Sequence, residues 1–352
     1  MEIFQSMASR GHEQLVFWSE PRFGYRGIIA IHDTTLGPAL GGTRFWHYPS
    51  EAEAIVDALR LAEGMTYKAA ITGLNLGGGK AVIFGVDGAA PDREMIFRAH
   101  GRAVESLGGR YITAEDVGTT VDDMEYVRME TEAVVGLHGR SGDPSPVTAF
   151  GIYRGIKAAV KVRFGSDSLE ERHVTVQGVG NVGYHLCRYL HGEGARLTVS
   201  DIDPGRLQRV VDDFGAVAVA RDVIYGVEAD VFAPCALGAV INDDTLKVLR
   251  VPVVAGGANN QLAEARHGDE LHRKGILYAP DYVINAGGLV NVFGELMDWS
   301  EERSLRKAGE IYHTVLRIFQ LAEAEGIPPA QAADRLAEHR LEDARHLHRS
   351  WV

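Results

Sequence analysis

The side chains best suited to chemistry are two lysines and an aspartate. Lys68 closes the run Met65-Thr-Tyr-Lys68, and Lys80 follows three glycines, 12 residues later. A lysine at a helix end and another beside a glycine-rich turn can share a pocket, one holding an anion as a point charge while the other is driven toward neutrality and becomes a base. By themselves the pair reads more readily as solvated surface lysines, because that side chain is mostly exposed. Asp116, in Thr113-Ala-Glu-Asp-Val-Gly-Thr119, stands just past a predicted strand end, where active-site groups gather in open α/β sheets. An aspartate before a turn is also common for purely local reasons. The third constellation is His173-Val-Thr-Val-Gln-Gly178-Val-Gly180-Asn181-Val182-Gly183, a strand, a Gly-x-Gly-x-x-Gly turn and a helix start. Such glycines allow a tight turn and bring a pyrophosphate close to a helix N-terminus. The next strand, Arg196–Ser200, ends in Asp201, 18 residues past Gly183, where a carboxylate accepts hydrogen bonds from an adenosine ribose. Its charge opposes a 2′-phosphate, which favours NAD over NADP despite Arg206 and Arg209 nearby.

The elements that must position these groups fall into two sets. Ser50-Glu-Ala-Glu53 has the form of a capping box, and Ile55, Ala58, Leu59, Ala62 and Met65 recur at helical spacing, which predicts a helix over about 51–68. Residues 27–31 and 81–84 read as strands, 92–107 as a helix and 110–114 as a strand. Leu36–Thr43, rich in turn residues, is expected to be a loop that lets a backbone approach something closely, and Lys80 is expected at the mouth of a strand. Ser141-Gly-Asp-Pro-Ser-Pro146 is the strongest punctuation in the chain and marks a domain boundary. Beyond it a helix over about 148–162 precedes alternating strand-like and helical segments, the signature of a parallel sheet covered by helices.

The length of 352 residues predicts about two domains, and 36 basic against 48 acidic residues give a net charge of −12. That balance would repel a nucleic-acid backbone, and no run approaches the ~18 apolar residues of a membrane span, so neither nucleic acid nor membrane is an expected partner. Two cysteines, Cys187 and Cys235, offer no metal spacing and suit a reducing compartment, so the cytoplasm is expected. Fourteen histidines contain no His-Glu-x-x-His, and no metal is expected.

Taken together, Leu40-Gly-Gly-Thr-Arg44, Met65-Thr-Tyr-Lys68, Gly77-Gly-Gly-Lys80, Ala114-Glu-Asp-Val-Gly-Thr-Thr120, Ser145-Pro-Val-Thr148, the dinucleotide fingerprint and Asn285-Ala-Gly-Gly288 resemble the glutamate/leucine/phenylalanine/valine dehydrogenase family, most closely its leucine and valine members. The resemblance runs from about residue 12 to 325. It implies an α/β fold of two domains: a substrate-binding and oligomerisation domain over 1–140, and a Rossmann domain with a doubly wound parallel sheet over 141–325. It also implies a cleft between them, C-terminal helices from about 325 that pack back on the first domain, and a homo-oligomer. By the same resemblance Lys68 binds the substrate carboxylate, Lys80 is the general base, and Asp116 exchanges a proton with the amino or imino nitrogen. Gly41 and Gly42 are the close backbone approach to the substrate, and Asn260 contacts it. Thr148, Asn259, Asn285 and Ala236 join Gly178, Gly180, Asn181, Val182, Gly183 and Asp201 at the NAD.

Leu40, Ala114, Leu289 and Val292 match positions that line the family's side-chain pocket. All four are apolar, with no cation placed to hold a second carboxylate, which favours leucine, valine or isoleucine over glutamate. Leu289 and the pair Phe293-Gly294 depart from the leucine dehydrogenase pattern and leave phenylalanine or another aromatic as an alternative. A catalytically silent nucleotide sensor is the alternative from another class, and the complete set of Lys68, Lys80 and Asp116 argues for the enzyme.

Overall fold

The computed structural model describes residues 2–85, 92–140, 143–236 and 238–349. Two compact units emerge: Met1–Gly142 with Glu295–Asp298 and Ala337–Val352, and Asp143–Gly294 with Trp299–Leu336. Of the expected boundary segment, Ser141 and Gly142 lie outside the described residues.

The first unit contains α1 (Ile3–Arg10), β1 (Gln14–Glu20), β2 (Tyr25–Asp33), β3 (Ala39–Trp46), α2 (Glu51–Ile71), β4 (Gly77–Phe84), α3 (Arg93–Glu105), β5 (Tyr111–Glu115) and α4 (Val121–Arg128). Its sheet runs β1-β2-β4-β3-β5, antiparallel at β1/β2 and β2/β4 and parallel at β4/β3 and β3/β5. Two expectations change here. Residues 39–46 form a central strand rather than a loop, and the glycines 77–79 lie inside β4, so that Lys80 sits in mid-strand with every neighbour along β4 buried. Glycine in a strand usually signals a close approach by something else, and at Gly78 a Cβ would collide with the Thr66 and Ala62 backbone of α2. Half of the expected capping box forms, with the Ser50 hydroxyl accepting from the Glu53 amide at 3.2 Å.

In the second unit come α5 (Ser145–Phe164), β6 (His173–Gln177), α6 (Asn181–Gly192), β7 (Arg196–Ser200), α7 (Pro204–Phe214), β8 (Val217–Ala218), β9 (Val231–Pro234), α8 (Thr245–Val248), β10 (Val253–Val254), α9 (Arg266–Arg273), β11 (Leu277–Tyr278), α10 (Asp281–Ile284), α11 (Gly287–Leu296), α12 (Glu301–Gly309) and α13 (Ile311–Glu325). α14 (Pro329–Arg349) ends the described chain. α5 begins three residues before the expected start, because Pro146 fits the first turn of a helix, where no amide donor is needed. The sheet is parallel throughout in the order β11-β10-β9-β6-β7-β8, the doubly wound arrangement with a switch point between β6 and β9.

The return to the first unit occurs at Ala337 rather than near 325. Burial explains the delay: α13 packs Ile311, Val315, Ile318 and Phe319 inside the second unit, and Gly151 of α5 leaves room for the Ile311 side chain. From there α14 docks on the end of α2. Arg340 donates to the carbonyls of Ala69, Ala70 and Leu74 at 3.2, 2.8 and 3.0 Å and to the Asn75 side chain at 3.0 Å. The Ala69 and Ala70 carbonyls also accept the Leu74 and Gly73 amides, so Arg340 adds a second donor to the end of the helix.

Candidate active site

Strand register decides which side chains of the first unit can meet. Leu40 pairs with Gly78 and Ile112, Gly42 with Ala114, and Arg44 with Val82. Side chains alternate along a strand, so Leu40, Gly42, Arg44, Lys80, Ala114 and, just past β5, Asp116 share one face of the sheet. It is the face covered by α2, since Val82 and Phe84 share a core with Ala54, Ala58, Leu59 and Ala62. Lys68 lies half-buried in the last turn of that helix.

Lys80 is 5% exposed, and its ammonium lies 2.8 Å from Asp116 Oδ2. Asp116 Oδ2 also accepts from Arg44 Nε at 2.9 Å. Arg44 continues to Asp57 Oδ2 at 2.8 Å, and Asp57 is fixed further by the Tyr48 hydroxyl at 2.8 Å and by Arg60 at 3.1 Å. Burial pushes the Lys80 ammonium below its ordinary range; Asp116 opposes that shift and Arg44 adds to it. For Asp116 burial acts upward, yet Lys80 and Arg44 outweigh it and hold the carboxyl below the usual carboxylate range. The outcome is an ionised aspartate beside a lysine disposed to lose its proton.

Gly41 and Gly42 have a reason to be glycine within the protein itself. A Cβ at 41 would collide with the Gly79 carbonyl, and one at 42 would lie 2.8 Å from Asp116 Cβ, so both glycines let β3 close on the strands that carry Lys80 and Asp116. Beneath the sheet, Thr43 Oγ1 bonds His100 Nε2 at 2.7 Å and Thr113 Oγ1 at 2.6 Å, while His100 Nδ1 meets the Tyr25 hydroxyl at 2.9 Å. Burial drives the His100 ring down to about 3, so it stays neutral and ties β2, β3, β5 and α3 together. Arg44, Asp57 and Tyr48 are the site residues that sequence reasoning missed. Arg44 stands two positions past Gly42, and the alternation that exposes it is visible only once 39–46 is read as a strand.

In the second unit the fingerprint forms as expected. Gly178 has φ +90°, a conformation that strongly favours glycine, with Ala236 packed where its side chain would go. Gly183 leaves room for the Gly178 carbonyl, and α6 starts at Asn181 and Val182 with Gly180 as its N-cap. Asp201 ties this turn together: Oδ2 accepts from the Val179 amide at 2.7 Å and Oδ1 from the Asp203 amide at 2.9 Å. Gly180, Asn181, Asp143, Tyr184, Arg206 and Arg209 surround an open depression there. Asn285 Nδ2 donates to Asn259 Oδ1 at 2.7 Å, and Thr148 lies against Gly287 and Gly288. Asn260 is exposed with φ +50°, its carbonyl accepting from the Ala239 amide. Four buried oxygens, Gln177 Oε1, Ser200 Oγ, Gln261 Oε1 and Asn285 Oδ1, have no hydrogen-bond partner among the described residues. Buried acceptors of that kind are costly unless a ligand or water meets them. With the glycine cradle at a helix N-terminus, they fit a dinucleotide.

Leu289 and Val292 lie on α11, Leu289 buried and Val292 half-buried. The Phe293 ring is buried edge-on against Trp299, and Gly294 makes room for Ser304 of α12. Asp243, Glu264 and His267 converge elsewhere, where Arg266 donates to both Asp243 oxygens and to Glu264 and so places a cation of the protein's own among them. Both cysteines are free thiols, pushed upward by burial. No helix among the described residues is long and apolar enough to cross a membrane.

Comparison with known proteins gives two family matches, the Glu/Leu/Phe/Val dehydrogenase dimerisation domain over residues 12–133 and the Glutamate/Leucine/Phenylalanine/Valine dehydrogenase domain over 205–349. The chain belongs to the Glu/Leu/Phe/Val dehydrogenase family. Leucine dehydrogenase of Bacillus subtilis is 58% identical over 348 residues, covering 98% of this chain and 95% of that protein. Valine dehydrogenase of Streptomyces coelicolor is 49% identical over 341 residues, 95% of this chain and 93% of that one. The crystal structure of L-tryptophan dehydrogenase from Nostoc punctiforme superposes with a TM-score of 0.89 at 46% identity, covering 97% of this chain and 99% of that one. Membership at this identity makes the protein an amino-acid dehydrogenase, and the silent sensor gives way to the enzyme.

Proposed function

We propose that the enzyme catalyses the reversible, NAD-dependent oxidative deamination of an apolar L-amino acid, with leucine, valine and isoleucine preferred, to the 2-oxo acid and ammonia. The observation that carries this reading is the buried Lys80, 2.8 Å from Asp116, on a face shared with Leu40 and Ala114. Lys68 holds the substrate carboxylate. The dinucleotide supplies the acceptor for the hydride that leaves the substrate Cα. Neutral Lys80 takes a proton from water as that water adds to the iminium carbon, passes it to the nitrogen, and then takes the hydroxyl proton as the C–N bond breaks and the carbonyl forms. Asp116 starts ionised and exchanges a proton with the nitrogen.

Gly41 and Gly42 offer backbone to the substrate, with Leu40, Ala114, Leu289 and Val292 around its side chain and Asn260 beside its amino group. Gly178, Gly180, Asn181, Val182 and Gly183 hold the pyrophosphate, Asp201 the ribose, and Thr148, Ala236, Asn259 and Asn285 the rest of the dinucleotide. NAD is preferred because the Asp201 charge opposes a 2′-phosphate. Residues 12–133 match a dimerisation domain, which supports a homo-oligomer, and the two free thiols support the cytoplasm.

An aromatic preference is the second reading, favoured by the similarity to a tryptophan dehydrogenase. The deciding experiment is a panel of amino acids with NAD and NADP at alkaline pH, followed by absorbance of the reduced dinucleotide. Branched aliphatic substrates with NAD should give the highest kcat/KM; glutamate or NADP at the top would overturn the assignment.

A further inference from the structure

Five groups of alternating charge run in a row across the Lys80 face: Lys80, Asp116, Arg44, Asp57 and Arg60, with successive contacts of 2.8, 2.9, 2.8 and 3.1 Å. A lysine paired with a single buried carboxylate resists losing its proton, because the loss strands an unbalanced anion. Here the anion is not stranded. Arg44 Nε and Lys80 Nζ share the same oxygen of Asp116, and a guanidinium does not titrate in proteins. Once Lys80 is neutral, the remaining row of Asp116, Arg44, Asp57 and Arg60 still sums to zero.

We propose that Arg44 is a positioning residue of the reaction, the fixed cation that holds Asp116 in place and balances its charge when Lys80 gives up its proton. Arg44 need not touch substrate to do so. It is held from behind by Asp57, which the Tyr48 hydroxyl and Arg60 anchor in turn. The charged groups that act on Lys80 come from three elements around it: Asp116 from the turn after β5, Arg44 from β3 and Asp57 from α2. His32 of β2 is engaged by Thr66 Oγ1 and the Arg10 carbonyl. The inference rests on Lys80 being the base.

The test is the pH profile of kcat/KM for leucine oxidation with NAD, in which the acidic limb reports the deprotonation of the base. Arg44→Gln removes the fixed charge and keeps a donor; its limb should move to higher pH by about one unit, the size expected for losing one neighbouring charge. Arg44→Lys should leave the limb near that of the wild type. Asp57→Asn removes an anion, and its limb should move the opposite way, to lower pH, by a smaller amount. It also keeps the question answerable if Arg44→Gln does not fold. A merely structural role would lower kcat in all three without moving the limb, and unmoved limbs, or shifts of the same sign in Arg44→Gln and Asp57→Asn, would overturn the proposal. Lys80→Ala separates the two levels: if it retains a tenth of the rate, the base assignment falls and the Arg44 role with it, whereas an unmoved limb in an enzyme silenced by Lys80→Ala rejects the Arg44 role alone.

Discussion

Around Lys80 the protein supplies an opposite charge for each buried charge, whereas in the second unit it leaves Gln177, Ser200 and Asn285 with buried oxygens that no described residue meets. The first region is electrostatically complete before any substrate arrives, as pre-organised catalytic sites tend to be. The second is complete only when something polar fills it. Complete sites lose rate when a member is removed; incomplete ones lose affinity or selectivity.

Four experiments sharpen or break that contrast. Lys80→Ala should slow turnover by about 10³-fold or more, while titration of intrinsic fluorescence with NAD gives an unchanged Kd; a retained rate would remove the first region from the chemistry. Next, the wild-type enzyme should favour leucine over glutamate by about 10³-fold in kcat/KM, since a second carboxylate would be buried without a partner beside Leu40 and Ala114. Lys68→Ala should raise the KM for leucine by about 10- to 100-fold, the value of one charge-assisted contact, and an unchanged KM would refute its role at the carboxylate. Asp201→Ala should shift the ratio of NAD to NADP efficiency by about tenfold toward NADP. It should also lower Tm, because the Val179 and Asp203 amides lose their acceptor; a fixed ratio with a lower Tm would reduce Asp201 to a structural tie.

The second unit was the more legible of the two. Strand and helix patterns alternate there, and a glycine triplet with an aspartate at the right distance has few other uses, so Gly178, Gly183 and Asp201 occupy the expected turn. In the first unit the glycines misled. Gly41, Gly42 and Gly77–Gly79 look like loop residues in a linear reading, but they are glycine because β2, β3, β4, β5, their turns and α2 approach one another too closely for a Cβ. Reading Leu36–Thr43 as a loop hid the alternation that sets Arg44 on the Lys80 face, and with it the whole charged row. Asp57 was equally hidden, since an aspartate on a helix carries no mark of a partner 13 residues earlier in the chain.

Arg340 has a consequence for the order in which the protein is made. The helix that carries Lys68 ends at Ile71, but the guanidinium that clasps its last turn to the C-terminal helix lies some 270 residues further along the chain. During synthesis the first unit therefore lacks this clasp until the chain beyond residue 337 has emerged, and until then its helix end is held only by the local amides of Thr72, Gly73 and Leu74. A chain stopped short of residue 340 would possess every residue assigned here to chemistry and still lack the clasp that finishes the first of them.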